Sequence, residues 1–213
     1  MKIHRFIGNP EDPEISRQIR QVLKLQAGEQ VIFSDGQGSD ELLEITDIGK
    51  EITYKSIKKL KVKKPERDVS LYLAILKKEN FELAVQKAVE CGVSHIIPVI
   101  TERTIKTGLN TERLEKIIKE ASEQSGRSII PTLSPILNFK DALEDANGEK
   151  IIFHLGGNEY KPKKDSREIS IFIGPEGGFT EKEIELAKNS SYIVASLGDL
   201  TLRGETAAII ATY

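Results

Sequence analysis

The 213-residue sequence has no tryptophan, one methionine, one cysteine and three histidines. The single cysteine, Cys91, excludes an internal disulfide and a zinc site built on several cysteines. The histidines are dispersed, so we expect no metal site. No apolar run approaches the roughly 20 residues that a membrane span needs, and the N-terminus lacks the apolar core of a signal peptide. We therefore expect a soluble, cytoplasmic protein that contacts no membrane.

Charge is plentiful but unevenly distributed. Charged residues make up 30% of the chain and the net charge is −2, which argues against bulk electrostatic binding of nucleic acid. Residues 1–67 nevertheless carry 13 Lys and Arg against 11 Asp and Glu, whereas the remainder carries 18 against 22. The basic excess is concentrated between Lys55 and Lys64. Such a run is typical of a solvated strand face, and contact with nucleic acid is the alternative.

The chain divides at a polar segment from Lys63 to Asp68, which contains a proline and no apolar residue. Before it, short segments of largely alternating polarity predict strands joined by turns. Apolar residues at helical spacing between Ile15 and Leu23 predict one helix that ends near Gly28. A small β-barrel over residues 1–66 is the natural closure for these strands. The strands are predicted at residues 30–33, 41–45 and 52–57.

After the linker, strands and helices alternate, which predicts a parallel α/β sheet over residues 67–213. Thr180 and Glu183 have the spacing of a capping box at the start of a helix. The strands are predicted at residues 69–76, 94–100, 150–155, 169–173 and 192–197. The helices are predicted at residues 79–91, 110–125, 139–146, 180–189 and 205–213.

Three glycine-rich segments follow predicted strands: residues 154–157, 174–178 and 197–203. Ligands bind at the carboxyl ends of parallel strands, and glycine lets the backbone approach a ligand closely. Each segment alone could be a tight turn, but three in consecutive units favour a ligand site. The sequence has no phosphate-binding loop, dinucleotide fingerprint or nucleophile elbow. This combination favours a ligand such as S-adenosylmethionine.

Several motifs together resemble a known family. Residues 173–180 (IGPEGGFT), 196–198 (SLG) and 202–207 (LRGETA) are similar to motifs of the RsmE-type 16S rRNA uridine-N3 methyltransferases, which belong to the knotted SPOUT superfamily. Residues 4–6 (HRF) and 123–127 (EQSGR) extend the resemblance across nearly the whole chain. Gly204 departs from the pattern, since the family commonly has threonine there.

The resemblance implies a PUA-like N-terminal barrel, residues 1–66, that binds rRNA. It implies a C-terminal SPOUT α/β domain, residues 67–213, with a trefoil knot. It further implies a homodimer that uses S-adenosylmethionine to methylate N3 of one uridine in the 16S rRNA of the small ribosomal subunit.

Arg203 is the candidate group for stabilising the charge of a uracil that has lost its N3 proton, with Glu205 or Thr206 orienting it. The alternative is that Arg203 and Glu205 cap a buried turn. For Glu176 we favour ordering of its own loop, by acceptance of backbone N–H bonds, over a role as base. The candidate RNA-binding residues are Arg5, Lys58, Lys59, Lys61 and Arg127. The candidate cofactor-binding residues are Leu155, Gly156, Ile173, Gly174, Pro175, Glu176, Gly177, Gly178, Leu197, Gly198, Leu200 and Leu202.

Other polar residues have structural interpretations. Residues 123–125 would either approach the cofactor or form a dimer seam. We interpret His95 as a hydrogen-bonded strand histidine and Cys91 as a packing residue. The competing functions are a ribose 2′-O-methyltransferase, a non-catalytic rRNA-binding assembly protein, and a nicotinamide or flavin oxidoreductase.

Overall fold

The structure is a computed structural model that describes residues 3–62, 65–160 and 166–213. Residue contacts divide the chain into two units. The described residues of the N-terminal unit are 3–62 and Ser122–Ile130, and those of the C-terminal unit are 65–121, 131–160 and 166–213. The sequence pattern does not predict that Ser122–Ile130 packs with the N-terminal residues. Lys63 and Lys64, where the predicted linker begins, lie outside the described residues.

The N-terminal unit contains a four-stranded sheet in the order β1-β2-β3-β4. The three predicted strands are confirmed, and β1 is an additional strand that pairs parallel to β2. These pairings form a sheet, and closure into a barrel stays a prediction. The strands are β1 (His4–Ile7), β2 (Gln30–Ser34), β3 (Asp40–Ile48) and β4 (Ile52–Leu60).

One helical segment covers this sheet. Helix α1 (Pro13–Arg17) begins with Asp12, whose carboxylate accepts a hydrogen bond from the N–H of Glu14, and continues as a π-helical turn over Gln18–Val22. The helix thus ends earlier than the predicted boundary at Gly28. Buried apolar side chains from both layers form the core of the unit: Phe6, Ile15, Ile19, Leu25, Val31, Phe33, Leu43 and Ile45.

The C-terminal unit is built on a parallel seven-stranded sheet, which confirms the predicted α/β class. Six strands follow the order β11-β9-β10-β5-β6-β7, and β8 also pairs with β6. The strands are β5 (Asp68–Ala74), β6 (His95–Ile100), β7 (Thr132–Leu133), β8 (Leu137–Asn138), β9 (Glu149–Glu159), β10 (Glu168–Ile173) and β11 (Ile193–Ser196). The helices are α2 (Lys78–Cys91), α3 (Thr111–Ser125), α4 (Phe139–Asp145), α5 (Glu181–Asn189) and α6 (Gly204–Thr212).

Local sequence signals explain several helix ends in this unit. Gly92 ends α2 in the left-handed conformation, with φ 106°, which glycine adopts at low cost. The predicted capping box at α5 is confirmed, because Thr180 and Glu183 exchange the side-chain and backbone hydrogen bonds that define it.

Strand order places a crevice at the carboxyl edge of this sheet. β5 lies between β10 and β6, and the chain leaves β5 toward β6 but leaves β10 toward β11 on the opposite side. Connections that diverge in this way leave a crevice above the strand ends, where α/β proteins bind ligands. Beneath it, the rings of Tyr72 and Phe172 stack with their centroids 4.3 Å apart.

One predicted loop is corrected by the structure. Residues 154–157 lie within β9 and do not follow its end. Val194 of β11 pairs with Ile152, and the next residue, Ala195, pairs with Asn158, so the intervening residues bulge out of register. Gly157 permits this arrangement because a side chain there would collide with the backbone of Ala195.

Candidate active site

A cavity of about 640 Å³ opens at the carboxyl edge of the parallel sheet in the C-terminal unit. The bulge of β9 and the segments that follow β5, β6, β10 and β11 line it. Its volume suits a ligand the size of a nucleoside cofactor. The cavity therefore lies where the strand order leaves a crevice.

Most of the predicted site residues meet in this cavity. Every predicted cofactor-binding residue except Gly156 lines it, as do Arg203 and Glu205 among the predicted catalytic residues. Thr206, by contrast, does not line it. The structure thus places these residues at one cavity, and their catalytic and binding roles stay predictions.

Other lining residues were not predicted from the sequence. Lys77 and Asn80 follow β5, and Arg103 follows β6, where no glycine-rich segment marks a loop. Their position after parallel strands is the one signal that could have indicated them. His154 and Thr201 line the cavity from two of the predicted glycine-rich segments, and the remaining unpredicted lining residues are Phe153, Phe179, Ser196, Gly204 and Ala207.

Residues 175–178 form a tight turn at the rim of the cavity. The N–H of Gly178 donates to the carbonyl of Pro175 at 2.8 Å, and Gly178 has φ 67°. The carboxylate of Glu176 accepts a hydrogen bond from the backbone N–H of Lys77 at 2.9 Å. Glu176 thus accepts a backbone N–H, as predicted, but from the segment after β5, and ordering of its own loop stays a prediction.

Two hydrogen bonds involving the side chain of Ser196 fix the turn at the start of the third glycine-rich segment. The hydroxyl of Ser196 accepts from the N–H of Gly198 at 3.2 Å and donates to the carbonyl of Gly198 at 2.8 Å. Gly198 has φ 117°, a conformation that favours glycine. This turn carries the chain from β11 along the cavity toward α6.

Arg203 and Glu205 lie at the start of α6. Arg203 occupies the N-cap position of α6, and its side chain is exposed and makes no capping hydrogen bond to the helix. Glu205 is only 6% exposed, and its Oε2 atom has no hydrogen-bond partner in the part of the chain that the structure describes. A carboxylate in the first turn of a helix is stabilised by the helix dipole. The cavity thus combines an exposed guanidinium with a buried carboxylate.

Gly204, between these two residues, allows α6 to begin close to the sheet. A Cβ atom at this position would lie 2.8 Å from Cδ2 of Leu76 and 3.5 Å from the carbonyl oxygen of Gly174. Leu76 is almost fully buried, so its side chain occupies the space that a larger residue would need. Gly204, where the resembling family commonly has threonine, therefore packs closely against the side chain of Leu76.

The N-terminal unit places the predicted RNA-binding residues in two kinds of environment. Lys58, Lys59 and Lys61 are exposed, on β4 or just after it. Arg5, by contrast, forms an ion pair with Asp40 at 2.6 Å, with side-chain exposures of 11% and 3%. A phosphate contact by Arg5 would therefore compete with a buried ion pair.

Residues after α3 complete this buried pair. The hydroxyl of Ser128 donates to the same carboxylate oxygen of Asp40. Burial raises the pKa of Asp40, but the hydrogen bonds from Ser128 and Arg5 outweigh it and hold the pKa below the usual value. Arg127 donates from Nε to the carbonyl of Ile129 at 3.2 Å, and burial lowers the pKa of its guanidinium.

Other residues interpreted from the sequence also find partners. The carboxylate of Glu123 accepts from the N–H of Ile7 at 2.8 Å, a contact with β1 that we did not predict. His95 is a hydrogen-bonded strand histidine, as predicted, because its Nδ1 lies 2.7 Å from the hydroxyl of Thr132. Burial raises the pKa of the Cys91 thiol, which disfavours a nucleophilic thiolate.

Among the described residues, no group of three or more His, Cys, Asp or Glu side chains is placed to hold a metal ion. No described helix combines the length and apolar character needed to cross a membrane.

Comparison with known proteins agrees with this geometry. Residues 63–213 match a family model described as an RNA methyltransferase domain. The ribosomal RNA small subunit methyltransferase E of Rickettsia conorii is 35% identical over 208 residues, which cover 91% of this chain and 82% of that protein. The same-named protein of Mesomycoplasma hyopneumoniae is 37% identical over 153 residues, covering 68% of this chain and 67% of that one.

Solved structures show the same architecture. A ribosomal RNA small subunit methyltransferase E from Neisseria gonorrhoeae, bound to S-adenosyl methionine, superposes with a TM-score of 0.88 at 28% identity and covers 99% of this chain and 95% of its own. A methyltransferase from Legionella pneumophila in complex with the same cofactor gives 0.84 at 28% identity and covers 100% and 96%. The α/β fold and its cavity thus define an RNA methyltransferase. Within that class, the chain belongs to the ribosomal RNA small subunit methyltransferase E family.

Proposed function

We propose that this protein transfers the methyl group of S-adenosylmethionine to N3 of one uridine in 16S rRNA. The observation that carries this proposal is the convergence of Arg203, Glu205 and two glycine-rich turns on one cavity. Relatives with the same fold bind S-adenosyl methionine, and named relatives act on small-subunit rRNA.

The residues of the cavity fit such a cofactor. Gly178 and Gly198 both have positive φ, and an added Cβ would point into open space at either position, so these glycines expose backbone groups to a ligand. The unpartnered oxygen of Glu205 is a hydrogen-bond acceptor for a hydroxyl or ammonium group. We assign the rest of the predicted cofactor contacts to the lining of the same cavity, with Gly156 as the exception.

The protein must activate a weak nucleophile. When bound, S-adenosylmethionine supplies a methyl group already activated by its sulfonium. Uracil N3 carries a proton, which would pass to solvent water, and its loss spreads negative charge over O2 and O4. The guanidinium of Arg203 would stabilise this charge at the edge of the cavity. Glu205 is buried two residues after Arg203, and its carboxylate would orient Arg203 and the uracil ring. Thr206 would act only indirectly, from outside the cavity lining.

The substrate is proposed to be rRNA within the small ribosomal subunit, in the cytoplasm. Lys58, Lys59 and Lys61 present three exposed cations for phosphate contacts, which position an RNA without reading its sequence. Arg127 is kept as a candidate contact, whereas Arg5 is better assigned to its ion pair with Asp40.

The resemblance to SPOUT enzymes also supports three structural proposals: a PUA-like closed barrel in the N-terminal unit, a trefoil knot in the C-terminal unit, and a homodimer. Leu83 on α2 and Ile210 on α6 are exposed apolar residues, which is consistent with an apolar contact between subunits. Light scattering during size-exclusion chromatography tests the dimer, and a crystallographic chain trace tests the barrel and the knot.

A methyl-transfer assay tests the function. The purified protein is incubated with labelled S-adenosylmethionine and small subunits that lack the modification, and the product nucleoside is identified by mass spectrometry. We expect N3-methyluridine, and we expect Arg203→Ala to lose it while still binding the cofactor.

Other products would assign other functions. A ribose-methylated nucleoside would assign a 2′-O-methyltransferase. Absence of both transfer and cofactor binding would leave a non-catalytic rRNA-binding protein.

A further inference from the structure

Arg103 crosses the turn at residues 175–178 from the segment that follows β6. Its Nη1 atom donates to the carbonyl of Gly177 at 2.6 Å, and the carbonyl of Phe179 lies 3.5 Å from the same atom. Arg103 also lines the cavity, although the family-like motifs do not include it.

This contact fixes one particular peptide unit. The carbonyl of Gly177 and the N–H of Gly178 belong to the same peptide plane. Arg103 holds the carbonyl, and the carbonyl of Pro175 holds the N–H at 2.8 Å. A peptide unit between two glycines otherwise rotates with little steric resistance. The two hydrogen bonds, one at each side of this peptide unit, restrict that rotation.

The side chain of Arg103 also fits the glycine it contacts. A Cβ atom at Gly177 would lie 3.3 Å from Cδ and 3.5 Å from Cβ of Arg103. The aliphatic stem of Arg103 thus covers Gly177 while the guanidinium reaches its carbonyl. The glycine and the arginine form one packed unit.

Neighbouring contacts hold the arginine segment itself. The N–H of Glu102 donates to the carboxylate of Glu183 at 2.9 Å, and the hydroxyl of Thr180 lies 3.2 Å from the carboxylate of Glu102. The segment after β6 is therefore joined to α5 on one side of the turn. Glu176, bound to the N–H of Lys77, ties the other side of the turn to the segment after β5.

We propose that Arg103 is a positioning residue that pre-organises the Pro175–Gly178 turn for cofactor binding. The backbone of the turn is then ordered before the cofactor binds. Binding therefore does not have to offset the loss of conformational entropy that ordering the turn would cost. The proposal rests on the proposed function only in taking S-adenosylmethionine as the ligand of the cavity.

Calorimetry with two ligands separates positioning from direct contact. S-adenosylhomocysteine carries the amino-acid group of the cofactor, and 5′-methylthioadenosine lacks it. We expect Arg103→Ala to weaken both ligands by a similar factor of about ten, the effect of one lost hydrogen bond to a charged group. Arg103→Lys, which keeps a donor and a charge, should recover part of the affinity. Arg113→Ala removes another exposed arginine, which lies on α3, and should change neither affinity.

Hydrogen exchange of the ligand-free protein gives an independent readout. In Arg103→Ala, the amide of Gly178 and its neighbours in the turn should exchange faster than in the wild type, while the melting temperature changes little. Arg113→Ala should leave this exchange unchanged. If Arg103→Ala fails to fold, the same comparison is made with Arg103→Lys.

Three results would overturn the proposal. Loss of affinity confined to S-adenosylhomocysteine would show that Arg103 binds the cofactor carboxylate directly. Unchanged affinity for both ligands, or unchanged exchange in the turn, would show that the turn does not depend on Arg103. If the wild type binds neither ligand, the proposed cofactor fails, and the exchange measurement alone decides on the turn.

Discussion

Arg5 in the N-terminal unit and Arg203 in the C-terminal unit have opposite environments. Arg5 is 11% exposed and pairs with a carboxylate that is 3% exposed. Arg203 is exposed at the edge of a cavity and has no ion-pair partner among the described residues. One guanidinium is already neutralised by the fold, whereas the other is available to a charge that a ligand brings.

The two units place their polar groups in different environments. In the N-terminal sheet, a buried carboxylate gathers Arg5 and Ser128 into one network, which stabilises the packing of residues 122–130 on that sheet. At the carboxyl edge of the parallel sheet, glycine-rich turns leave backbone groups and the start of α6 facing a cavity. Motifs of equal prominence in the sequence therefore lie in a buried network in one unit and at a cavity in the other.

Replacing Arg203 tests the chemical side of the comparison and has the largest expected effect. We expect Arg203→Ala to lower kcat for methyl transfer by a factor of about 10² to 10³, the typical cost of removing one group that stabilises a developing anion. The free energy of unfolding should stay within about 0.5 kcal/mol of the wild-type value, because the side chain is exposed. An unchanged kcat would remove Arg203 from the mechanism.

Replacing Arg5 tests the structural side. We expect Arg5→Ala to lower the free energy of unfolding by about 3 kcal/mol, because it leaves the buried carboxylate of Asp40 without its ion-pair partner. Urea denaturation measures this change. Arg17→Ala, which breaks an exposed pair with Glu14, is the matched control and should cost less than about 1 kcal/mol. Equal effects of the two variants would contradict the assigned role of Arg5.

Replacing Gly204 tests whether the start of α6 is held by close packing. We expect Gly204→Ala to destabilise the protein by about 1 to 2 kcal/mol, since its Cβ would crowd the buried side chain of Leu76. Adding Leu76→Val should reduce the cost of the Gly204 substitution. A double-mutant cycle measures the coupling, and fully additive effects would show that the two residues act independently.

Replacing the three lysines has the smallest expected effect. The triple variant of Lys58, Lys59 and Lys61 to alanine should bind small subunits less tightly, and the negative slope of log affinity against log salt should shrink in magnitude by about two to three. Filter binding at several salt concentrations measures this slope. An unchanged slope would assign the lysines to a solvated strand face. The matched control replaces three exposed lysines of the C-terminal unit, Lys140, Lys182 and Lys188.

Periodicity and turn residues predicted most of the fold. The parallel α/β class and the capping box at α5 follow from local patterns that the packing obeys. Strand β1, the short strands β7 and β8, and the packing of Ser122–Ile130 depend on long-range pairing that no local pattern encodes. The bulge in β9 does not follow from the sequence, because a pair of glycines is typical of a strand end as well.

The candidate site was predictable only where glycine marks a loop. The two turns after β10 and β11 and the start of α6 carry such signals, and they meet in the cavity. Arg103 and Lys77 carry none, because their position depends on the order of strands in the sheet. Arg5 is the reverse case, because its sequence context predicts an RNA contact whereas the fold pairs it with Asp40. The sequence does not tell whether an arginine lies against a buried carboxylate.

A crystal structure of the protein with S-adenosylmethionine tests the account most directly. We predict that the ligand occupies the cavity of the C-terminal unit, between the turn at residues 175–178 and the segment from Leu197 to Leu202. The side chain of Arg203 should face the methyl group from the solvent side. Density for the cofactor on the N-terminal sheet, or at any place away from those two segments, would contradict the account.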